Sequence, residues 1–219
     1  MDLKYKCLVL DHDDTVVNST AVIHYPCFVE YANSFLSGVD ITLEEYFRYN
    51  FDPGVVKFFS EICGMSEQDM DKEQLYWLDY VKQLIPSVYP GIKEILEEHK
   101  RHGGIIAVVS HSYSENILRD YKANNLPEPD ITFGWEYPSS QKKPNPWPLE
   151  QIMKKYNLSP KDMIVIDDLK PGYDMAKAVN VPFAAAGWAN DIEEIETFMR
   201  ANCDRYFKTV AELGAFLFD

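Results

Sequence analysis

The sequence predicts an α/β fold in which a doubly wound parallel sheet forms the core and an α-helical subdomain is inserted into it. Two observations lead to this prediction. Short, continuous apolar runs that end in polar clusters alternate with segments of helical periodicity. The segment 18–86 breaks this alternation and has the pattern of helices alone.

Four apolar runs predict the strands of the sheet. Each is four to six residues long, which is typical of strands that are covered on both faces of a parallel sheet. These runs are residues 7–10, 105–109, 163–166 and 181–186. The helices predicted between them cover 91–99, 148–156 and 173–179. This is the alternation of Rossmann-like sheets, in which ligands bind beyond the carboxyl ends of the strands.

The segment 18–86 is predicted to be a separate helical domain. It is rich in aromatic residues and contains no run of the strand type. Thr42 and Ser66 are each followed three residues later by an acidic residue, the spacing of a capping box, which predicts helix starts at both positions. The α/β core domain is then formed by 1–17 together with 87–219.

Composition and charge exclude several classes of protein. The 219 residues are 46% hydrophobic, which is enough for a sizeable core. They include 21 basic and 35 acidic residues, a formal charge of −14, which nucleic acid and anionic membranes repel. No apolar run approaches the roughly 20 residues of a membrane span, and the amino terminus lacks a signal-peptide pattern. Because the four cysteines show no Cys-x-x-Cys spacing and no secretory signal is seen, we expect reduced thiols in a cytoplasmic protein. From the charge and the lack of an apolar span, we expect no nucleic-acid or membrane partner.

Two pairs of aspartates follow predicted strands. Asp11 and Asp13 come after the first strand, and Asp167 and Asp168 come after the third. Either pair alone is typical of a turn or a helix cap. Because both pairs end parallel strands, we expect the four carboxylates to face one crevice, where their repulsion requires a cation. Mg²⁺ bound together with phosphate oxygens fits such a site; alternatively, one carboxylate is a nucleophile and another a general acid and base.

A hydroxyl and a lysine complete the candidate site. Ser110 follows the second strand and either holds a phosphate oxygen at the start of the next helix or caps that helix. Lys143 lies in a proline-braced loop, where it would offset the carboxylates and stabilise a developing negative charge. Its neighbour Lys142 is expected to be a solvated loop residue.

These elements, in this order, resemble the motifs of the haloacid dehalogenase superfamily of phosphohydrolases. The motifs are Asp-x-Asp-x-Thr at 11–15, Ser110 after the second strand, Lys-Pro-x-Pro at 143–146 and the acidic pair at 167–168. Each is common by itself, but four in this order and spacing are specific. The resemblance spans 5–190 and points to the subgroup with a helical cap that includes phosphoglycolate phosphatases and β-phosphoglucomutases.

The resemblance implies roles for the aspartates. Asp11 would attack the phosphoryl group, and Asp13 would act as general acid and then as general base. Mg²⁺ would be held by the side chain of Asp11 and by the backbone carbonyl of Asp13. Asp168 would be the third ligand, with Asp167 bound directly or through water.

The remaining motif residues would bind the substrate. Ser110 and Lys143 would hold the phosphoryl oxygens, and His111, where relatives often have Asn, would contact the leaving group. Asp14 stands where Gly is frequent in the family, a departure that removes no required group. The helical insertion would be the cap that closes over the substrate.

The resulting hypothesis is a Mg²⁺-dependent phosphatase that hydrolyses a small phosphorylated metabolite through an aspartyl phosphate. Asp13 favours a phosphate ester, because relatives that cleave carbon–halogen or carbon–phosphorus bonds lack a carboxylate there. A sugar-phosphate mutase of the β-phosphoglucomutase type shares the same motifs and is the closest alternative. More remote alternatives are a phosphorylation-dependent signalling module and a non-catalytic binding protein. Both a monomer and a homodimer remain open.

Overall fold

The computed structural model describes residues 3–218 and confirms the predicted α/β class. Within these residues the strands are β1 (Cys7–Leu10), β2 (Val17–Asn18), β3 (Ser87–Val88), β4 (Ile105–Val109), β5 (Ile131–Phe133), β6 (Met163–Asp167), β7 (Phe183–Ala186) and β8 (Arg205–Phe207). Six of them form one parallel sheet in the order β5-β4-β1-β6-β7-β8, while β2 and β3 form a separate antiparallel ribbon. The strand with the first aspartate pair therefore lies inside the sheet.

Helices connect the parallel strands, because a parallel pair needs a long crossover. In chain order the α-helices are α1 (Tyr25–Phe35), α2 (Leu43–Phe51), α3 (Val55–Lys57), α4 (Glu67–Val81), α5 (Ile92–Arg101), α6 (Ser114–Ala123), α7 (Trp147–Tyr156), α8 (Lys170–Ala178), α9 (Glu193–Asn202) and α10 (Val210–Phe218). Across the described residues, no helix combines the length and apolar character needed to cross a bilayer.

The sheet is buried on both faces. Alternate residues of β1, β4 and β6 point to one face, where they pack with apolar residues of α5, α6 and α10. Leu8 and Leu10 of β1 belong to this cluster and are fully buried. The intervening Cys7 and Val9 are also fully buried, on the opposite face. This explains why the strands are uninterrupted apolar runs rather than alternating patterns.

The chain divides into two compact units. One runs up to Asn18 and resumes at Ser87, and the other is Ser19–Pro86. The second unit is helical and has its own core, in which Phe28, Tyr46 and Phe58 pack ring against ring.

The helix starts predicted in this unit are confirmed. Thr42 and Ser66 each accept a hydrogen bond from the backbone N–H three residues later, and the acidic side chain there bonds back to the cap residue. The two reciprocal pairs satisfy backbone donors that the first turns of α2 and α4 would otherwise leave unpaired.

Candidate active site

The carboxyl ends of three neighbouring strands bring the candidate residues together. β1 lies between β4 and β6, and the register of both pairings aligns the ends of the three strands. Asp11 follows β1, Ser110 follows β4, and Asp167 and Asp168 lie at the end of β6. All four side chains are buried, with at most 4% of their surface exposed. Buried polar groups are therefore concentrated at the carboxyl ends of the central strands.

Three carboxylates form a cluster suited to a metal ion. Asp11, Asp167 and Asp168 each contribute an oxygen, and these oxygens lie within 4.8 Å of one another. Burial raises the pKa of Asp11 and that of Asp168, and the neighbouring carboxylates raise both further. Such crowding disfavours three negative charges unless a cation is bound among them. An all-oxygen, buried donor set fits Mg²⁺, which prefers carboxylate and water ligands.

Lys143 supplies positive charge to the same cluster. Its ammonium nitrogen lies 2.6 Å from Oδ1 of Asp11 and 2.6 Å from Oδ2 of Asp167, and its side chain is 1% exposed. Burial works against the charged form of Lys143, but the Asp11 and Asp167 carboxylates outweigh it and raise the pKa of the ammonium group. Lys143 is therefore a fixed cation. It balances one of the negative charges and leaves the cluster with an excess.

Asp13 and Ser110 are linked through Ser112, a residue that the sequence analysis did not assign to the site. The Ser112 hydroxyl donates to Oδ2 of Asp13 at 2.5 Å, and the backbone N–H of Ser112 donates to Oγ of Ser110 at 3.1 Å. The carboxylate of Asp13 is not among the three clustered carboxylates. In the sequence, the one local signal that could have identified Ser112 is that it lies two residues after Ser110.

His111 contacts the backbone of Lys143. Its Nε2 lies 2.9 Å from the Lys143 carbonyl oxygen, and its ring meets Trp135 edge-on, with the ring centres 5.3 Å apart. Burial, reinforced by the charge of Lys143, lowers the pKa of His111 to about 3. The ring is therefore neutral, and the nitrogen facing the carbonyl oxygen is the one that carries hydrogen.

The expectation that Lys142 is solvated is wrong. Its ammonium group lies 3.5 Å from the centre of the Trp135 ring and donates to the Trp135 carbonyl oxygen at 3.2 Å. The cation–π contact and the hydrogen bond hold the residue against the loop after β5. Lys142 and Lys143 thus have different partners although they are adjacent in the chain.

Thr15 and Gly172 shape the surroundings of the acidic pair. The Thr15 hydroxyl lies 3.4 Å from Oδ1 of Asp168, and the Thr15 carbonyl oxygen accepts from the indole N–H of Trp188 at 3.2 Å. A Cβ atom at position 172 would lie 2.1 Å from Oδ2 of Asp167. Glycine is therefore needed there for the Asp167 side chain to reach Lys143. Trp188 was not predicted, because its role depends on tertiary structure alone.

A model of the haloacid dehalogenase-like hydrolase family matches residues 8–186. The chain belongs to this family. The match includes both aspartate pairs, the Ser110 loop and the Lys143 loop.

The individual relatives of this haloacid dehalogenase-like protein described below share less than 30% of its sequence. The phosphoglycolate phosphatase of Vibrio parahaemolyticus is 27% identical over 128 residues, which are 58% of this chain and 54% of the relative. The chain thus matches about half the length of this curated relative. A haloacid dehalogenase-like hydrolase of Bacteroides fragilis shares the fold with a TM-score of 0.79 at 22% identity, over 96% of this chain and 100% of that one.

CbbY from Rhodobacter sphaeroides shares the same fold. Its TM-score is 0.72 at 19% identity, and the match covers 96% of each chain. That structure contains phosphate, and a variant of CbbY was solved with xylulose-1,5-bisphosphate. At this level of identity the similarity concerns the fold.

Proposed function

We propose that this protein is a Mg²⁺-dependent phosphatase that hydrolyses a small phosphorylated metabolite through an aspartyl phosphate on Asp11. The observation that carries the proposal is the cluster of Asp11, Asp167 and Asp168 with Lys143 bridging two of its members. A turn or a set of helix caps would not require three clustered, buried carboxylates, two of which share one lysine. The curated relatives make phosphoglycolate the first substrate to test.

Asp11, Asp168 and the backbone carbonyl of Asp13 would hold the metal ion, with Asp167 bound directly or through water. When bound, Mg²⁺ neutralises charge on the phosphoryl oxygens and so lets the anionic nucleophile approach. Lys143 and Ser110 would bind the remaining phosphoryl oxygens. Because these groups are buried and already held by hydrogen bonds, they would need little reorganisation during the reaction.

The reaction would proceed in two displacements at phosphorus. A carboxylate oxygen of Asp11 forms a bond to phosphorus while the ester P–O bond breaks, and Asp13 donates its proton to the departing oxygen. Asp13, now ionised, accepts a proton from water as that water attacks phosphorus and the bond to Asp11 breaks. Inorganic phosphate leaves, and both aspartates return to their starting states. The Ser112 hydroxyl orients Asp13 for both steps.

We further propose that Ser19–Pro86 is the cap of the enzyme and that His111 contacts the leaving group. The hydrogen bond from His111 to the Lys143 carbonyl oxygen supports a second role, which is to fix the Lys143 loop.

The test is phosphate release from a panel of phosphorylated metabolites that begins with phosphoglycolate and sugar phosphates. Each is assayed with Mg²⁺ and with chelator, for the wild type and for Asp11→Asn and Asp13→Asn. Asp191→Asn is the matched control, because that carboxylate is 91% exposed. We expect Mg²⁺-dependent release that both site variants abolish and the control retains.

The same experiment separates the alternatives. Labelling of Asp11 with transfer of the phosphoryl group to a sugar phosphate, rather than to water, would indicate a mutase. Stable labelling without any turnover would indicate a signalling module. Neither labelling nor release with any compound would contradict the proposal.

A further inference from the structure

His12 lies between the two aspartates of the first motif, and its side chain has a different partner from either of them. Asp11 contacts Lys143, and Asp13 contacts Ser112. The imidazole of His12 is 1% exposed and reaches Asp120 of α6, which is 108 residues away in sequence. The peptide that carries both aspartates is therefore anchored by the residue between them.

The partner of His12 is a carboxylate that is held by two residues. Oδ2 of Asp120 lies 3.1 Å from Nε2 of His12, and Oδ1 accepts from Nε and Nη2 of Arg119 at 2.9 and 2.8 Å. Since a carboxylate paired with arginine only accepts hydrogen bonds, Nε2 of His12 carries the hydrogen. The other ring nitrogen has no partner within residues 3–218, so Asp120 is the polar contact that orients the ring.

Two further contacts make this anchor rigid. The His12 ring stacks on Tyr121, with the ring centres 5.9 Å apart and an interplanar angle of 28°. The carbonyl oxygen of His12 accepts the backbone N–H groups of Val16 and Val17 at 2.9 and 3.0 Å, which closes the turn after β1. The main chain of His12 thus shapes the turn, while its side chain ties the turn to α6.

We propose that the His12–Asp120–Arg119 chain is a positioning device for phosphoryl transfer. It holds the turn with Asp11 and Asp13 against α6, the helix that the Ser110 loop leads into. This contact would keep the attacking carboxylate of Asp11, the proton donor Asp13 and the hydroxyl of Ser110 at fixed distances from one another. This inference rests on the proposed phosphatase function and assigns His12 no contact with substrate. Misplacing a reactive group by about 1 Å can cost on the order of a hundredfold in rate, so the anchor should affect kcat.

The experiment compares His12→Leu, which loses the donor, with His12→Gln, whose amide can still donate to Asp120. His99→Leu is the matched control. His99 is also a buried histidine, and its Nε2 lies 3.2 Å from the Ile105 carbonyl oxygen, at the opposite end of β4 from Ser110. Melting temperatures show whether the two leucine variants lose comparable stability.

The readouts are kcat, KM and the affinity for orthovanadate and for inorganic phosphate, measured by calorimetry with Mg²⁺. Vanadate adopts the five-coordinate geometry of the transferring group, whereas phosphate does not. We expect His12→Leu to lower kcat and vanadate affinity by at least about tenfold, with KM and phosphate affinity nearly unchanged. We expect His12→Gln to recover most of the loss.

Asp120→Asn gives a second route if His12→Leu does not fold, and it should shift the same two quantities in the same direction. Equal effects of His12→Leu and His99→Leu on vanadate affinity would show a purely structural pair and overturn the inference, while the phosphatase proposal stands. A wild type that neither turns over any substrate nor binds vanadate would overturn both.

Discussion

The two units of the molecule both bury carboxyl groups, but they balance the charge differently. In the α/β unit, Asp11 and Asp167 share the ammonium group of Lys143. In the helical unit, Glu73 of α4 is 7% exposed and forms no ion pair with Lys or Arg within the described chain. Burial raises the pKa of Glu73 to about 7, although the nearby His24 acts in the opposite direction.

The difference shows that burial alone does not decide the state of a carboxyl group. A carboxyl group beside a fixed cation can stay ionised and serve as nucleophile or metal ligand, whereas one without a cation takes up a proton near neutral pH. Lys143 offsets only part of the charge at the sheet edge, because the pKa of Asp11 is still raised. A divalent cation would supply the remainder.

Removing the fixed cation should have the largest effect. Lys143→Met leaves Asp11 and Asp167 buried without their lysine, so we expect a loss of about 3–5 kcal/mol in the free energy of unfolding without Mg²⁺. Phosphate release should fall by about 10³-fold, because a donor to the phosphoryl oxygens is lost. Denaturant unfolding and steady-state kinetics measure the two quantities.

Lys142→Met is the control for this prediction. It removes a neighbouring lysine whose partners are the ring and carbonyl oxygen of Trp135. We expect it to keep phosphate release within about threefold of the wild type. Similar losses in the two variants would mean that Lys143 acts through the loop rather than through its charge on the carboxylates.

In the helical unit, Glu73→Gln is expected to raise the free energy of unfolding, whereas Lys143→Met lowers it. Because the folded-state pKa of Glu73 is raised from 4.5 to about 7, the folded protein holds a proton that the unfolded chain releases in this range. The contribution of Glu73 to stability is therefore favourable at low pH and lost as pH rises through about 7. At pH 8, Glu73→Gln should stabilise the protein by up to about 3 kcal/mol, a gain that vanishes towards pH 4.5.

The measurement is denaturant unfolding of the wild type and of Glu73→Gln from pH 4.5 to 8. Asp71→Asn, on the exposed side of the same helix, should leave the pH profile unchanged. A Glu73→Gln variant that is destabilised at pH 8 would show that the carboxylate is ionised and satisfied by partners, and the comparison between the units would fail.

Metal binding should stabilise the α/β unit by an amount that grows with the logarithm of the free Mg²⁺ concentration above the dissociation constant. Mg²⁺ at a hundred times its dissociation constant should add about 2.7 kcal/mol to the free energy of unfolding. Asp168→Asn should raise the metal-free stability, because it removes a buried carboxyl group whose pKa is raised by burial and by neighbouring carboxylates. The same variant should abolish the stabilisation by Mg²⁺. Thermal unfolding with and without chelator tests both statements.

The smallest effect is expected at Asp14. This buried residue has φ 58°, which Asn also tolerates, and its carboxylate accepts a hydrogen bond from the Tyr89 hydroxyl. It adds negative charge beside Asp168. Asp14→Asn should therefore weaken Mg²⁺ binding by about threefold in calorimetry. Tyr89→Phe, which keeps the charge, should leave the affinity unchanged.

Much of the fold was predictable because the central strands are covered on both faces. β1, β4 and residues 163–166 of β6 are uninterrupted apolar runs, and the polar residues directly after these runs lie at the candidate site. The edge strands β5 and β8 were not predicted. Each has three residues, two of them not fully buried, so neither forms an apolar run.

Other features were out of reach because their cause lies far away in the chain. His12 and Asp120 are 108 residues apart, and no sequence pattern around either residue indicates that they will form a pair. Glu73 is one acidic residue among several in α4, and only the packing of the helical unit distinguishes it. The sequence shows which residue types follow which strand, but it does not show which side chains will be paired.

The ribbon of β2 and β3 has an evolutionary consequence. Val17 is paired with Val88 and Asn18 with Ser87, so the chain leaves for the helical unit and returns from it on adjacent antiparallel strands. Adjacent strands lie about 5 Å apart, a gap that a short hairpin turn can close. Residues 19–86 can therefore be lengthened, shortened or exchanged without rethreading the sheet. The module that would select a substrate can thus diversify by insertion and replacement while the chemical machinery is inherited intact.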